Sequence, residues 1–429
     1  MNLRNFLSVV VGKTVAKSSR IRGGHGSALP GLVIEKIDPK FLQRIFREIP
    51  VAVISGTNGK TTTTKMVVEL LEKNGLNVFT NDSGSNFSRG VASSAVSKMR
   101  GGKLKFDIAV LELDEAHAVK FVHDINPDFS LLLNVLRDQL DRFGEIDTTA
   151  KMMTEIAKNT RKKLVLNAND PRISQNEKLT EADVLWFGFS DDLSEIFPTD
   201  EQLHDGKKVQ KRNGKSEKIS RKNDDILLAD FLKNNSADYD FNGEKVRENL
   251  AAGGAHNALN GSAALQLVRA ILLEKSCGKF DFKKNAEWLA KVNPAFGRGE
   301  SIKIGDKNIV LNLVKNPAGF QSVLRSADAG KTTLFAVNDQ YADGRDVSWL
   351  YDVDFDVFAN KNTKIFTTGI RANDIALRLE YDGVKVLGID GNIFNATENF
   401  LTENSGDLQI FATYTAMLKI RKIIKKEVK

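Results

Sequence analysis

The chain has 429 residues, enough for two or three domains, and its 41% hydrophobic content allows an ordinary packed core. Its single cysteine, Cys277, excludes an internal disulfide or a cysteine-cluster metal site and reads as a small core residue; with no apolar run long enough for a bilayer span and no signal-peptide pattern, a reduced, cytoplasmic protein is expected. The net charge of +7 gathers at the two ends without a recognised nucleic-acid-binding module, so nucleic acid is not an expected partner.

Residues 1–25 hold Arg4, Lys13, Lys17, Arg20 and Arg22 and no acid. Residues 1–22 read as a basic amphipathic helix with Leu3, Phe6, Leu7, Val10 and Val11 on its apolar side. A glycine-rich loop follows at 23–31, and Asp38 is placed to cap a helix through Phe41, Ile45 and Phe46. The apolar run Val51–Ile54 then reads as a buried strand. It leads into Gly56, Thr57, Asn58, Gly59, Lys60, Thr61 and Thr62, after which Met66, Val67, Leu70 and Leu71 keep a helical period. Strand, glycine turn, Lys-Thr and helix together predict a phosphate cradle. The glycines let backbone N–H groups close on a polyphosphate, and the helix N-terminus adds positive potential. Lys60 would meet the outer phosphates and the Thr61 hydroxyl would hold Mg²⁺. The loop is shorter than the common pattern, since Ile54 stands where a glycine would be.

Leu76–Thr80 reads as the next strand and Asn81–Gly90 as a polar loop suited to a site rim. Asp107–Asp114 predicts a strand ending near Glu112, where open parallel sheets bind ligands; a carboxylate there either holds Mg²⁺ or is a plain surface acid. Ser130–Val135 and Lys163–Asn167 are further strands, and their alternation with helices predicts a parallel sheet covered on both faces. Residues 189–248 are rich in Lys, Asp, Asn and Glu and poor in apolar periodicity, and read as an inserted, partly ordered segment. Gly253–Ala264 opens a helix on which Asn257 and Asn260 share one face, with amides able to read a base or ribose edge. His256 beside them reads as a structural hydrogen-bonder. Arg298, in a glycine turn, suits a phosphate or ribose.

A domain boundary is expected near residue 300, giving a helical lead-in at 1–48, an ATP-binding domain at 49–300 and a C-terminal α/β domain at 301–429. The strands of the last are predicted at Ile309–Val314, Thr333–Val337, Thr363–Thr368, Val384–Gly388 and Leu408–Ala412. Asn338–Phe355 crowds Asp339, Asp343, Asp346, Asp352 and Asp354 around Trp349 and Tyr351. Such a loop binds metal, orients a catalytic base, meets a basic partner, or is only an acidic cap. The basic tail Leu418–Lys429 interleaves Leu418, Ile420, Ile423, Ile424 and Val428. Both basic ends fit either an anionic membrane surface or the solvated face of a packed helix.

Gly56–Thr63, Asn167–Pro171, His256–Asn260 and Gly297-Arg298 resemble the Mur ligase superfamily, whose members activate a carboxylate with ATP as an acyl phosphate that an amine attacks. Arg137–Asp147, Asn312–Gly319 and Ala342–Trp349 are similar, more narrowly, to the MurT-type synthetase subunits of lipid II isoglutaminyl synthases. The resemblance runs from Leu29 to the C-terminal domain. It implies an α/β fold with a Mur ligase-like central P-loop domain, a parallel sheet and a C-terminal α/β domain. It implies ATP and Mg²⁺ as cofactors, a GatD-type glutamine amidotransferase as partner, and amidation of the D-glutamate of lipid II. By the same resemblance Lys60 and Thr61 go to phosphates and Mg²⁺, Glu112 to Mg²⁺, and Asn257, Asn260 and Arg298 to the nucleotide, Asn260 to adenine. Asp346 would complete the partner's Cys–His pair as a catalytic carboxylate. No histidine follows His256 and Cys277 lies outside the motif, so a shared triad is the natural arrangement. Two departures stand out. The four-cysteine zinc ribbon of this family is missing from 189–248, so no structural zinc is expected, and His256 is closer to other Mur ligases. The alternatives are a Mur or folylpolyglutamate-type ligase adding an amino acid, and a non-catalytic ATP-binding scaffold.

Overall fold

Two β-sheets organise the computed structural model, which describes residues 3–21, 29–81, 87–100, 102–137, 146–197, 224–232, 235–275, 279–293, 298–325, 327–359 and 361–427. The first is built around Val51–Ser55 (β1), which is buried at every position. Such continuous burial needs a strand on each side and a helical layer on each face. Ala52 and Ile54 point into one apolar layer with Met66, Val67 and Leu70 of the helix Lys60–Lys73 and with the helix Ala255–Glu274. Val51 and Val53 point into the other, with Phe41, Val91 and Phe121.

Nine strands make this sheet. They are β1, Val78–Phe79 (β2), Ile108–Glu112 (β3), Phe129–Leu132 (β4), Lys163–Asn167 (β5), Asp183–Phe189 (β6), Ile226–Phe231 (β7), Ser236–Phe241 (β8) and Glu244–Asn249 (β9). Their order is β2-β3-β1-β4-β5-β6-β7-β8-β9, parallel up to β7 and antiparallel beyond it. The chain leaves β1 toward β2 and β3 on one side and places β4 on the other. That reversal opens a crevice at the carboxyl end of β1, the standard ligand position in such sheets.

The reading of 189–248 as a polar insert is corrected for its second half. Residues 198–223 lie outside the described residues, but 226–249 supply β7, β8 and β9. Ser236–Phe241 alternates polar and apolar side chains, and Ala237 and Tyr239 are fully buried. Asn242 and Gly243 both have positive φ, 54° and 85°, and join Phe241 to Glu244 as a two-residue hairpin turn. The many charges sit on the outward positions of strands whose other face is core. The Tyr239 hydroxyl donates to Ala258 O at 3.0 Å and ties this hairpin to the helix Ala255–Glu274.

Three N-terminal helices cover one face: Leu3–Ile21 (α1), Leu29–Ile37 (α2) and Phe41–Ile45 (α3). The apolar side read for α1 faces outward. Asn5, Ser8, Val9 and Gly12 are the buried positions, while Phe6, Leu7, Val10 and Val11 are exposed. Polar bonds decide this orientation. Ser8 donates to Asp38 at 2.7 Å, Arg44 Nε donates to Asn5 at 3.0 Å, and Arg44 also pairs with Asp38. Asp38 is therefore an anchor for α1; the α3 N-cap is Lys40 and makes no side-chain bond. Burial alone would raise the Asp38 pKa, but the bonds from Arg44 and Ser8 hold it below its ordinary value.

The second sheet has six strands in the order β10-β11-β15-β12-β13-β14. These are Arg298–Ile304 (β10), Lys307–Leu313 (β11), Thr332–Ala336 (β12), Ile365–Thr368 (β13), Gly388–Asp390 (β14) and Asp407–Ala412 (β15). The strand expected at Val384–Gly388 starts only at Gly388; Val384 is a buried core residue in the approach to it. In the C-terminal helix Tyr414–Glu427, Ile420, Ile423 and Ile424 pack into the core, whereas Leu418 is 38% exposed.

Hydrogen exchange distinguishes the two readings of 226–249. The amides of Ala237, Tyr239 and Val246 are expected to exchange as slowly as those of β1; rapid exchange there would return the segment to a loose insert.

Candidate active site at the end of the central strand

Val51–Ser55 stops at Gly56, and the loop Gly56–Gly59 delivers Lys60 to the first turn of the helix Lys60–Lys73 (α4). Gly56 has φ 143° and Gly59 φ 91°, values that side chains seldom adopt. A Cβ at Gly56 would lie 2.9 Å from Leu133 Cβ, and one at Gly59 would lie 2.5 Å from Asn260 Oδ1. Both positions therefore demand glycine on two grounds. Asn134, at the end of β4, clamps the loop. Its Oδ1 accepts from Asn58 N at 2.9 Å, its Nδ2 donates to Asn58 O at 3.1 Å, and its carbonyl accepts from Thr57 N at 3.0 Å. The Thr57 hydroxyl exchanges bonds with the backbone of Leu136.

The expected carboxylate stands beside the loop. Thr61 Oγ1 donates to Glu112 Oε1 at 2.7 Å. Asn81 holds the end of β3, its amide bonded to both Glu112 N and Glu112 O at 3.0 and 2.8 Å. Octahedral Mg²⁺ binds oxygens at about 2.0–2.1 Å and sets neighbouring ligands about 2.9 Å apart. An all-oxygen pair at 2.7 Å fits that spacing. Lys60 Nζ donates to Gly56 O and, at 2.9 Å, to Glu115 Oε1. Glu115 is 2% exposed, and its Oε2 is buried with no hydrogen-bond partner among the described residues. An unsatisfied buried carboxylate oxygen beside a lysine and an Mg²⁺-compatible pair suits a metal-bound water. Glu115 was not among the sequence candidates. Its signal was its position three residues after Glu112, in the first turn of the helix Glu115–Ile125.

The helix Ala255–Glu274 brings Asn260 against Gly59, as the Gly59 geometry shows, so its amide lies at the phosphate loop. Asn257 Nδ2 donates to Gly253 O at 2.8 Å. His256 meets Phe197 edge-on, with ring centroids 5.2 Å apart. Burial, and then the charge of Arg325, push its pKa down to about 4, so the ring is neutral at physiological pH. Of the expected nucleotide contacts, Arg298 contributes only its backbone position at the start of β10; its side chain and Gly297 lie outside the described residues. So do residues 82–86 of the rim loop, 138–145 of the Arg137 motif, and Cys277. The Asn167–Pro171 motif has a bracing role. Asn167 donates to Leu133 O, Asn169 bonds both backbone groups of Phe189, and Asp170 accepts from Val135 N. These bonds lock the carboxyl ends of β4, β5 and β6 together.

The C-terminal sheet reaches the same loop. Asn316 and Asn58 exchange amide bonds at 3.2 and 3.5 Å, and Lys315 Nζ lies 3.4 Å from Thr57 O. Sequence reading had these residues only inside a motif. Asp346 sits elsewhere, in the loop after β12, where Oδ1 accepts from Ser348 N at 2.8 Å. No hydrogen bond among the described residues joins it to the phosphate loop. Its acidic neighbours have separate tasks. Asp343 is buried on Thr415, and Asp339 pairs with Arg371. Trp349 packs on Phe320, whereas Tyr341 and Tyr351 are exposed.

Residues 54–268 match the Mur ligase middle domain and residues 313–417 the MurT ligase C-terminal domain. The lipid II isoglutaminyl synthase (glutamine-hydrolyzing) subunit MurT of Staphylococcus aureus is 30% identical, over 92% of each chain. Its namesake from Streptococcus pneumoniae is 29% identical, over 99% of this chain and 98% of that one. The crystal structure of MurF ligase from Thermotoga maritima in complex with ADP shares the fold, with a TM-score of 0.67 and 18% identity over 93% of this chain and 84% of that one.

The buried Lys60–Glu115 pair makes a stability prediction. Lys60→Ala leaves Glu115 without its counter-charge and is expected to cost about 3 kcal/mol or more. Urea denaturation would measure the loss, and Lys60→Ala with Glu115→Gln should regain much of it. An unchanged midpoint in the single variant would show that the pair adds no stability.

Proposed function

The chain belongs to the MurT family of Mur ligases, and on that premise we propose that it is the ATP-using subunit of a glutamine-hydrolysing lipid II isoglutaminyl synthase. The observation that carries this reading is the meeting of two sheets at one phosphate loop: Lys60, Thr61 and Glu112 from the first, Lys315 and Asn316 from the second. An acyl phosphate forms only where a carboxylate is held in line with a γ-phosphate.

In the proposed sequence, an oxygen of the D-glutamate α-carboxylate attacks the γ-phosphorus of ATP and the bond to ADP breaks. Ammonia then attacks the acyl carbon, phosphate leaves with its bonding pair, and nitrogen loses a proton to give D-isoglutamine. Backbone N–H groups of Gly56–Thr61 and the N-terminus of α4 hold the polyphosphate. Lys60 turns from Gly56 O to the outer phosphates. Thr61 and Glu112 would hold Mg²⁺, which neutralises phosphate charge when bound. Asn257, Asn260 and Arg298 serve the nucleotide. The contact of Asn260 with Gly59 favours a place close to the phosphates over the adenine edge expected for it.

Ammonia comes from a GatD-type glutaminase. Asp346 is proposed to orient the partner's histidine, and its fixed Oδ1 on a loop flanked by exposed Tyr341 and Tyr351 supports that assignment. The site is proposed to work on the cytoplasmic side, where the precursor's head group is reached.

The deciding assay combines the chain with its glutaminase, ATP, Mg²⁺, glutamine and lipid II, and weighs the product. The small loss from acid to amide is expected; the gain of an amino-acid residue would place the protein with the amino-acid-adding ligases. Lys60→Ala should slow amidation at least about a hundredfold. Asp346→Asn should cut glutamine-dependent turnover about a thousandfold or more while ammonium salts still support amidation. Equal loss with both nitrogen sources would remove Asp346 from the glutaminase.

A further inference from the structure

The N-terminal helix α1 holds its place through a polar inner face and leaves its apolar side uncovered. Phe6, Leu7, Val10 and Val11 are 39%, 55%, 46% and 37% exposed, and they follow one another at i, i+1, i+4 and i+5. Side chains of this kind on a helix already anchored by Ser8, Asn5 and Gly12 have no part in the core. Gly12 sits so close to Val96 that a Cβ would lie 2.8 Å from it, so the helix cannot simply roll to bury them.

The surroundings of this strip are cationic. Residues 3–21 contain no Asp or Glu. Lys13 and Lys17 are exposed on α1, and Lys13 Nζ donates to Met99 O, which fixes it at the strip's edge. Gly102 lies against Phe6, with its Cβ position 3.6 Å from Phe6 Cα, and exposed Arg100 and Lys103 flank it. Two separate chain segments thus set positive charge beside one apolar strip. The helix axis also has a defined direction. Ser8 meets Asp38 and Gly12 meets Ile34, so α1 and α2 run antiparallel. The Lys17 end of α1 therefore lies toward Gly31, which touches Arg89 and Ser93 in the first turns of Ser88–Lys98, the helix that follows the rim loop.

We propose that the exposed face of α1, with its Lys13, Lys17, Arg100 and Lys103 rim, docks this protein on an anionic membrane surface. An interfacial helix needs this pairing of apolar side chains with lysine or arginine at head-group level. A water-soluble protein partner of acidic character would meet the charge but not require bulky apolar residues uncovered along the helix. The basic C-terminal helix is a contrast, because its isoleucines are core residues. The docking stands apart from the amidation reading, since it needs neither nucleotide nor turnover, and it would bring the site's edge to a lipid-linked substrate.

Flotation of the full-length chain with vesicles tests it, without ATP, glutamine or lipid II. Vesicles of equal parts phosphatidylglycerol and phosphatidylcholine should carry the protein at low salt, pure phosphatidylcholine vesicles should not, and added salt should weaken the binding. Leu7→Glu with Val10→Glu should lower the partition at least about tenfold with an unchanged circular dichroism spectrum. Lys13→Ala with Lys17→Ala should reduce it on anionic vesicles. Failure of the wild type to float, or equal flotation of the Leu7→Glu, Val10→Glu variant, would overturn the proposal. So would light scattering that shows a wild-type dimer which this variant dissolves, because a second copy would then be the occupant.

Discussion

The backbone of Gly56–Gly59 is the constraint on which the rest depends. Two residues at positive φ turn the chain from a buried strand into a helix within four positions, and packing against Leu133 and Asn260 leaves no room for a side chain at either. Asn134 supplies a donor and two acceptors that the loop cannot find within itself. Behind Asn134, the Asn167 and Asp170 bonds hold β4, β5 and β6 in step. A phosphate cradle must be rigid before ligand arrives, because ordering it on binding would subtract from affinity. The central strands of the sheet are buried on both faces and hold the strand ends beside the loop in place.

Charge is handled differently at the phosphate loop and at the acidic loop. At the phosphate loop, Lys60 and Glu115 are both buried, and Lys60 Nζ pairs with one oxygen of Glu115 at 2.9 Å. At the acidic loop, most carboxylates are consumed by local bonds. Asp343 and Asp339 are structural, and Asp354 lies close enough to Asp356 that its charge raises the Asp356 pKa, with burial adding to the effect. The helix Pro317–Arg325 links these regions. Asn316, at its start, meets Asn58; Phe320 packs on Trp349; and Gln321 bonds both backbone groups of Asp354. A single short helix thus carries the second sheet's contact with the phosphate loop and supports the loop that bears Asp346.

Local patterns in the chain were legible where one period dominated. The apolar run Val51–Ile54 before a Gly-x-x-Gly-Lys-Thr turn specified strand, loop and helix without help from the rest. Glu112 was legible as a strand-end carboxylate, and most strands of the second sheet followed from apolar runs. Residues 226–249 were misread because their charged outward positions masked an alternation that Asn242-Gly243 should have exposed as a hairpin. Glu115 was invisible as a buried partner, since an acid in the first turn of a helix is ordinarily a solvated cap.

The sequence by itself determined the phosphate loop, the strand-and-helix alternation and the family, because each rests on contiguous residues whose chemistry is local. Only the tertiary structure decided which side of α1 faces inward. The apolar moment of Phe6, Leu7, Val10 and Val11 pointed one way, but Asp38 and Arg44, distant in sequence, bind Ser8 and Asn5 on the other side. Tertiary structure likewise decided that Lys315 and Asn316 belong to the phosphate loop and that Asn260 lies over Gly59. Contacts of such separation depend on how sheets and helices stack, and no local period encodes them.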